Sequence, residues 1–121
     1  MKIETHNIKD TKIAEVISNE MIIRTTDDGL DLLGNLYYQD FGGIIIYDKN
    51  ITPEFFNLKS GIAGEILQKF TNYRVRLAIV GDFSKYKSKS FIDFIYESNK
   101  KGQIIFVNSS AEALNILLKD Y

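Results

Sequence analysis

Acidic and hydroxyl side chains follow two predicted buried strands, and their types could support chemistry. Asp48 comes directly after the apolar run 44–47, and Asp82 and Ser84 follow the run 75–80. In an open parallel sheet, ligands favour the edge where the strands end. Two close carboxylates there could bind a hard cation or perturb each other's protonation. The alternative is that both aspartates satisfy turn backbones, which is a common role of Asp after a strand.

Two glycines fall in the first turn of a predicted helix. Gly61 and Gly64 follow a Lys-Ser pair, and bare backbone at a helix N-terminus can hold an anion. The spacing lacks the Gly-Lys-Ser/Thr of a phosphate-binding loop, and no strand leads into it as a dinucleotide fingerprint requires. Close packing of the helix on the sheet or on a second chain is the favoured explanation of both glycines.

Two isolated titratable residues offer weaker possibilities. Glu65 is either a partly buried base near Arg74 or Arg76, or an exposed helix residue, and the exposed role is favoured. His6 is the only histidine, and it lies in the first predicted strand, away from the strand-end carboxylates. Since no nucleophile elbow accompanies it, we expect a solvent-facing strand histidine.

The composition excludes several classes of function. The chain has no cysteine, so disulfides, thiolate nucleophiles and cysteine metal sites are absent. A net charge of −1 gives no field to attract nucleic acid or anionic lipid. The N-terminus lacks a signal-peptide pattern, and the apolar runs are far shorter than a membrane span. We therefore expect a cytoplasmic domain with no cofactor, metal, membrane or nucleic-acid partner.

The elements that must position these residues follow from hydrophobic periodicity. Short alternating runs at 2–7 and 12–17 around a polar turn predict a hairpin, and the runs 44–47, 75–80 and 104–107 predict buried strands. Helix starts are predicted at Thr25, at Thr52 with a second start at Ser60, and in capping boxes at 90–93 and 109–112. The order β-β-α-β-α-β-α-β-α over residues 1–121 predicts one α/β domain. Its expected sheet is mixed, mostly parallel and five-stranded.

Four longer strings are specific enough to compare with known families: residues 55–70, 73–74, 77–84 and 93–99. They resemble a bacterial family known as domain of unknown function 4180, and the resemblance extends over nearly the whole chain. It implies a small cytoplasmic bacterial protein and no particular activity. The order of elements also resembles STAS domains, the fold of anti-sigma-factor antagonists. That architectural resemblance implies a regulatory hydroxyl at the start of the helix after a central strand, where this chain has Thr52.

Two functions remain open from the sequence. The first is a STAS-like regulatory or interaction module that presents a surface near Thr52 and Gly61 to a partner protein or to a second copy of itself. The second is a small-ligand-binding domain or enzyme that uses Asp48, Asp82 and Ser84 at the strand ends. A concave pocket joining the two carboxylates would favour the second function, and a shallow edge with exposed apolar residues would favour the first.

Overall fold

The first two strands pair as an antiparallel hairpin. They are β1 (Lys2–Ile8) and β2 (Thr11–Ile17), joined by a turn at Lys9 and Asp10. Lys9 adopts a left-handed φ of 56°, which lets the chain reverse within two residues. The hairpin prediction is confirmed in this computed structural model, which describes residues 1–119.

Helices and parallel strands alternate through the rest of the described chain. In order they are α1 (Thr26–Tyr37), β3 (Gly43–Tyr47), α2 (Ile62–Tyr73), β4 (Arg76–Val80), α3 (Lys89–Lys101), β5 (Ile104–Val107) and α4 (Ser110–Leu117). The sheet order is β1-β2-β3-β4-β5, and every pair from β2 to β5 is parallel. The predicted fold class and element order are confirmed.

Alternating side chains of the central strands enter two separate cores. Ile44 and Ile79 belong to the larger core, which lies between the sheet and the helices α1, α2 and α3. Ile45 and Ile105 point to the other face and pack with the apolar side of α4. Because α4 packs mainly against β3, β4 and β5, the polar side chains of the hairpin occupy the rest of that face.

The helix starts predicted at Thr52 and Ser60 are confirmed only in part: Thr52 caps a helical segment that begins at Pro53, as predicted, but the segment is a 3₁₀ turn. The chain forms 3₁₀ turns at Pro53–Phe56 and Leu58–Ser60, and α2 begins only at Ile62. Asn57 interrupts the helix because its backbone is extended and its side chain accepts a hydrogen bond from the Lys59 N–H. Gly61, at a left-handed φ of 82°, then separates the turns from α2.

The start of α3 also differs from the predicted capping box. Ser88, rather than Ser90, is the N-cap and accepts a hydrogen bond from the Phe91 N–H. Asp93 pairs with Lys89 at 2.8 Å instead of reaching back to the cap. The N-cap of α4 is confirmed, since Ser109 accepts from the N–H of Glu112, but the Glu112 carboxylate accepts from the N–H of Asn108 instead of that of Ser109.

The helices within residues 1–119 are all too short or too polar to cross a lipid bilayer.

Candidate functional site

The parallel strands end at one edge of the sheet. Tyr47 lies beside Val80, and Val80 lies beside Val107. The residues that follow these strands therefore share one rim, as the sequence predicted. We call this rim the carboxyl edge.

Asp48 lies against the loop that follows β4. A methyl group built on Gly81 would lie 2.6 Å from Cγ of Asp48, so the aspartate directly covers this glycine. Its Oδ2 is 3.5 Å from Nζ of Lys85, and its side chain is only 23% exposed. Asp48 therefore joins the end of β3 to the β4–α3 loop through packing and an ion pair.

Asp82 is part of a separate, local turn. Its Oδ1 accepts hydrogen bonds from Oγ of Ser84 at 2.6 Å and from the Ser84 N–H at 3.1 Å. The hydroxyl and then the amide of Ser84 lower the pKa of Asp82. A carboxylate with a lowered pKa is a poor proton acceptor. Asp82 therefore stabilises the local turn instead of serving as a base.

A groove at the carboxyl edge includes Asp48 but not Asp82. We call it the carboxyl-edge groove, and it has a volume of about 290 Å³. Its lining residues are Met21, Asp48, Lys49, Ile51, Pro53, Phe56, Lys85 and Tyr86. Within the described residues, no group of three His, Cys, Asp or Glu side chains could hold a metal ion. The groove therefore combines apolar surface with a few charges rather than a set of convergent carboxylates.

Stacked aromatic rings form one wall of the groove. Tyr86 stacks on Phe56 with ring centroids 5.2 Å apart, and Phe91 packs edge-on against both rings. Burial raises the pKa of the Tyr86 phenol. Aromatic packing of this kind fixes the wall, because each ring is held by contacts on more than one side.

Thr52 and Asn50 hold the segment that supplies Lys49, Ile51 and Pro53 to the groove wall. Thr52 is 9% exposed, and its Oγ1 accepts a hydrogen bond from the Glu54 N–H at 3.3 Å. The side chain of the fully buried Asn50 donates to the carbonyls of Ser18 and Glu20. Thr52, the sequence candidate for a regulatory hydroxyl, thus has a capping role in the folded chain.

The glycine candidates lie at the start of α2, outside the lining of the carboxyl-edge groove. Gly61 is the residue before the helix, and Oε1 of Glu65 lies 3.6 Å from the position that a Gly61 Cβ would take. The carboxylate of Glu65 therefore already faces the positive end of the helix dipole. Glu65 is exposed, and the guanidinium of Arg76 is instead bonded to the carbonyls of Gly102, Ile116 and Lys119.

A second polar cluster lies on the sheet face that α4 leaves open. Nε2 of His6 is 2.9 Å from Oε1 of Glu15, and the Tyr47 phenol donates a 2.7 Å hydrogen bond to Oε2 of the same carboxylate. The Glu15 side chain is 9% exposed and that of His6 is 23% exposed. The prediction that His6 faces solvent holds only in part, because the hairpin register places the partly exposed ring beside a buried glutamate.

This cluster fixes the imidazole of His6 through a carboxylate that is itself held by a phenol. Burial, followed by the hydrogen bond to Glu15, raises the pKa of Tyr47, and the hydroxyl of Ser110 opposes this shift. Tyr47 therefore stays a neutral donor to Glu15 at physiological pH. A carboxylate held in this way orients the imidazole and can balance a positive charge on it.

The fold and the carboxyl-edge groove define the class of this protein. It is a mixed α/β domain whose parallel strands end at a partly apolar groove that carries a few charged residues. Residues 8–117 match the family described as a domain of unknown function (DUF4180), and the chain belongs to this family. No curated protein and no solved structure matches the chain significantly.

Proposed function

We propose that this domain is a cytoplasmic bacterial interaction module that docks a partner protein on the carboxyl-edge groove. One observation carries the proposal: Met21, 43% exposed, lines the same groove as the stacked Phe56–Tyr86 pair. Methionine and aromatic residues are enriched at protein interfaces, and charged residues are common at the rim. The groove lies at the edge of the sheet that α/β domains use most often for binding.

Backbone hydrogen bonds tie together the segments that form the groove. The backbone carbonyl of Asn50 accepts hydrogen bonds from the N–H groups of Ile22 and Ile23, at 2.7 and 2.9 Å. Thr52 donates its N–H to the Ile23 carbonyl at 2.8 Å. These bonds join the segment that carries Met21 to the turn after β3. A surface held in this way loses little conformational entropy on binding, which favours affinity.

The charges around the groove indicate the chemistry of the partner. Lys49 and Lys85 both line it, and the single carboxylate in the lining, Asp48, is already paired with Lys85. The local charge is therefore positive although the whole chain is slightly acidic. A partner segment with an exposed apolar side chain flanked by Asp or Glu would complement this surface.

The STAS-like order of elements supports a regulatory role for such docking. In this proposal the partner contacts Pro53 and Phe56, which are the residues of the turns from Thr52 to Gly61 that line the groove. The occupant is a separate partner protein, and docking of a second copy of this chain on the groove is an outcome that the experiment distinguishes.

The test compares variants at the two ends of the sheet. Met21→Ser and Lys85→Glu change the groove, and Tyr38→Ser is the control because Tyr38 is 86% exposed in a pocket at the opposite end of the strands. We expect affinity capture from the native cytoplasm to retain one identified partner with the wild type and with Tyr38→Ser. The same partner should lose at least about tenfold in affinity with either groove variant.

Purified components then decide between the possible occupants. Calorimetry with the purified partner should show weaker binding by Lys85→Glu, and changing the partner's acidic residues to Lys should restore binding to that variant. Equal binding by all variants would contradict the proposed surface. Self-association that Met21→Ser abolishes, measured by sedimentation velocity, would replace the partner with a second copy of this chain.

A further inference from the structure

A second groove separates α2 from α3 on the sheet face that both helices cover. We call it the α2–α3 groove, and its volume is about 390 Å³. It is lined by Gly64, Leu67, Gln68, Thr71, Phe94, Glu97, Ser98, Lys101, Gln103 and Ile104. Small-molecule sites have volumes of about 300–1,000 Å³, so the groove is large enough for a compact ligand.

The middle of this groove is apolar, and α2 leaves it open. Leu67, Phe94 and Ile104 supply the apolar surface. A methyl group on Gly64 would meet no atom of the described chain within 4 Å, so packing within the domain does not require glycine there. Glycine inside a helix costs about 1 kcal/mol relative to alanine. Its effect here is to keep the groove free of a side chain.

Ser98 brings an unused hydroxyl into this lining. The residue is 6% exposed, yet its Oγ has no hydrogen-bond partner among residues 1–119. Because this oxygen is not fully enclosed by the protein, it can bond a molecule in the groove. The neighbouring polar side chains behave differently, since Thr71 donates to the Leu67 carbonyl and Gln103 donates to the carbonyls of Phe70 and Val75. The hydroxyl of Ser98 and the side-chain amide of Gln68 are therefore the uncharged polar groups of this lining that can bond a ligand.

Two opposite charges flank the hydroxyl. Glu97 and Lys101 both line the groove, four residues apart on α3. Neither forms an ion pair with the other or with any side chain in the described part of the chain. Unpaired charges of both signs beside an apolar surface complement a ligand that carries both charges and an apolar body.

We propose that the α2–α3 groove binds a free α-amino acid with a large apolar side chain. The ligand carboxylate accepts a hydrogen bond from Ser98 and faces Lys101, and the ligand ammonium faces Glu97. The apolar side chain lies against Leu67 and Phe94. This site is separate from the carboxyl-edge groove, and the proposal does not depend on the docking function.

The absence of tryptophan from the chain allows a direct test. L-Tryptophan is the probe, and its fluorescence, excited at a wavelength where tyrosine barely absorbs, reports binding without protein background. Tryptamine lacks the carboxylate, and indole-3-propionate lacks the ammonium. We expect saturable binding of L-tryptophan and affinity at least about tenfold weaker for each analogue. Equal affinity for all three would show nonspecific apolar binding, and the absence of saturable binding would also overturn the proposal.

Variants with matched controls locate the site. Lys101→Gln and Ser98→Ala should each weaken L-tryptophan binding about tenfold, and Lys100→Gln, whose side chain does not line the groove, should leave it unchanged. Gly64→Leu should block binding, and Gly34→Leu is its control because Gly34 is a helical glycine with equally open surroundings.

The thermal unfolding midpoint of each variant shows whether it has folded. Ser98→Ala removes only an unpartnered hydroxyl and should unfold like the wild type. If Gly64→Leu fails to fold, comparison of Lys101→Gln with Lys100→Gln still shows whether L-tryptophan binds in this groove. Unchanged L-tryptophan affinity in Lys101→Gln would overturn the assignment of the carboxylate contact.

Discussion

The phenol of Tyr47 donates a 2.7 Å hydrogen bond to Oε2 of Glu15, a residue 32 positions earlier in the chain. Backbone pairing between β2 and β3 extends only from Ile13 and Gly43 to Glu15 and Ile45. The side-chain bond therefore continues the connection of the two strands beyond their last paired residues. Since His6 contacts the other oxygen of Glu15, one carboxylate joins three adjacent strands.

The Tyr47 phenol should make stability fall at alkaline pH. Its pKa in the folded chain is raised by burial and by Glu15, so above about pH 10 the unfolded chain ionises this group before the folded chain does. The unfolded state then binds fewer protons, and the free energy of unfolding decreases as pH rises through this window. Tyr47→Phe should cost about 1 kcal/mol at neutral pH and flatten the alkaline decline.

Urea unfolding between pH 7 and 11 measures both effects. Tyr38→Phe is the control, because that ring is 86% exposed and should leave the curve unchanged. Tyr86 also has a raised pKa, so part of the decline should persist in Tyr47→Phe. Identical curves for wild type and Tyr47→Phe would contradict the prediction.

The sequence predicted the sheet better than it predicted this cluster. The hairpin, three apolar runs and the alternation of helices are local signals, and they were sufficient for the fold class and the shared carboxyl edge. The contact between His6 and Glu15 could have been predicted, because the turn at Lys9 and Asp10 places both residues on one face of the hairpin. The contact of Glu15 with Tyr47 could not have been predicted, because it requires β2 to lie beside β3, and strand order leaves no local signal in the sequence.

Asn50 should be intolerant of a carboxylate. It is completely buried, and its side-chain amide donates hydrogen bonds of 2.9 and 2.8 Å to two backbone carbonyls. Asn50→Asp would replace this donor with a negative oxygen facing the same carbonyls. We expect a loss of about 3 kcal/mol or more in the free energy of unfolding, against about 2 kcal/mol for Asn50→Ala.

Chemical denaturation near neutral pH and at pH 4 measures the Asn50 variants. Protonation at low pH should recover part of the stability of Asn50→Asp relative to Asn50→Ala. The exposed Asn35→Asp is a control for the added charge. If Asn50→Asp were as stable as the wild type, this residue would not hold the groove wall as we describe.

Adding even a methyl group at Gly81 should destabilise the fold, because it would clash with the side chain of Asp48. The added carbon would lie 2.6 Å from Cγ and 2.9 Å from Cβ of Asp48. Gly81→Ala should therefore destabilise the fold by about 1–3 kcal/mol by overpacking. Gly42→Ala is the matched control, since a methyl group there meets no described atom within 4 Å.

A double-mutant cycle tests whether the Asp48 side chain is what excludes a methyl group at Gly81. In an Asp48→Gly background, Gly81→Ala should cost much less, because the clashing side chain is gone. Equilibrium unfolding of the four chains gives the coupling energy. Additive effects would show that some other contact excludes a side chain at Gly81.

The helix starts show a second limit of sequence patterns. Thr52-Pro53 and Ser90 carry good capping chemistry, yet the chain uses 3₁₀ turns at the first place and Ser88 at the second. Competing local bonds decide these cases: Asn57 binds the Lys59 amide, and Lys89 attracts Asp93. A sequence pattern therefore does not decide between two nearby capping residues when a helix begun at either one would bury the same apolar face.

The outer edge of β5 should depend on one asparagine of α3. Oδ1 of Asn99 accepts a 2.7 Å hydrogen bond from the Phe106 N–H, and its Nδ2 donates to the Phe106 carbonyl at 3.2 Å. The side chain thus occupies backbone groups that an added strand would use. Asn99→Ala should cost about 1–2 kcal/mol and expose an edge that favours association between chains.

Asn99→Asp separates the two effects, because it keeps the acceptor for the Phe106 N–H and loses the donor. It should be intermediate in stability, and its negative charge should oppose association. Urea unfolding gives the stabilities, and sedimentation velocity at several protein concentrations gives the association state. If Asn99→Ala keeps the wild-type size distribution at every concentration, another feature protects this edge. In that case the packing of α3 against β5 would itself protect the apolar strand 104–107 from association.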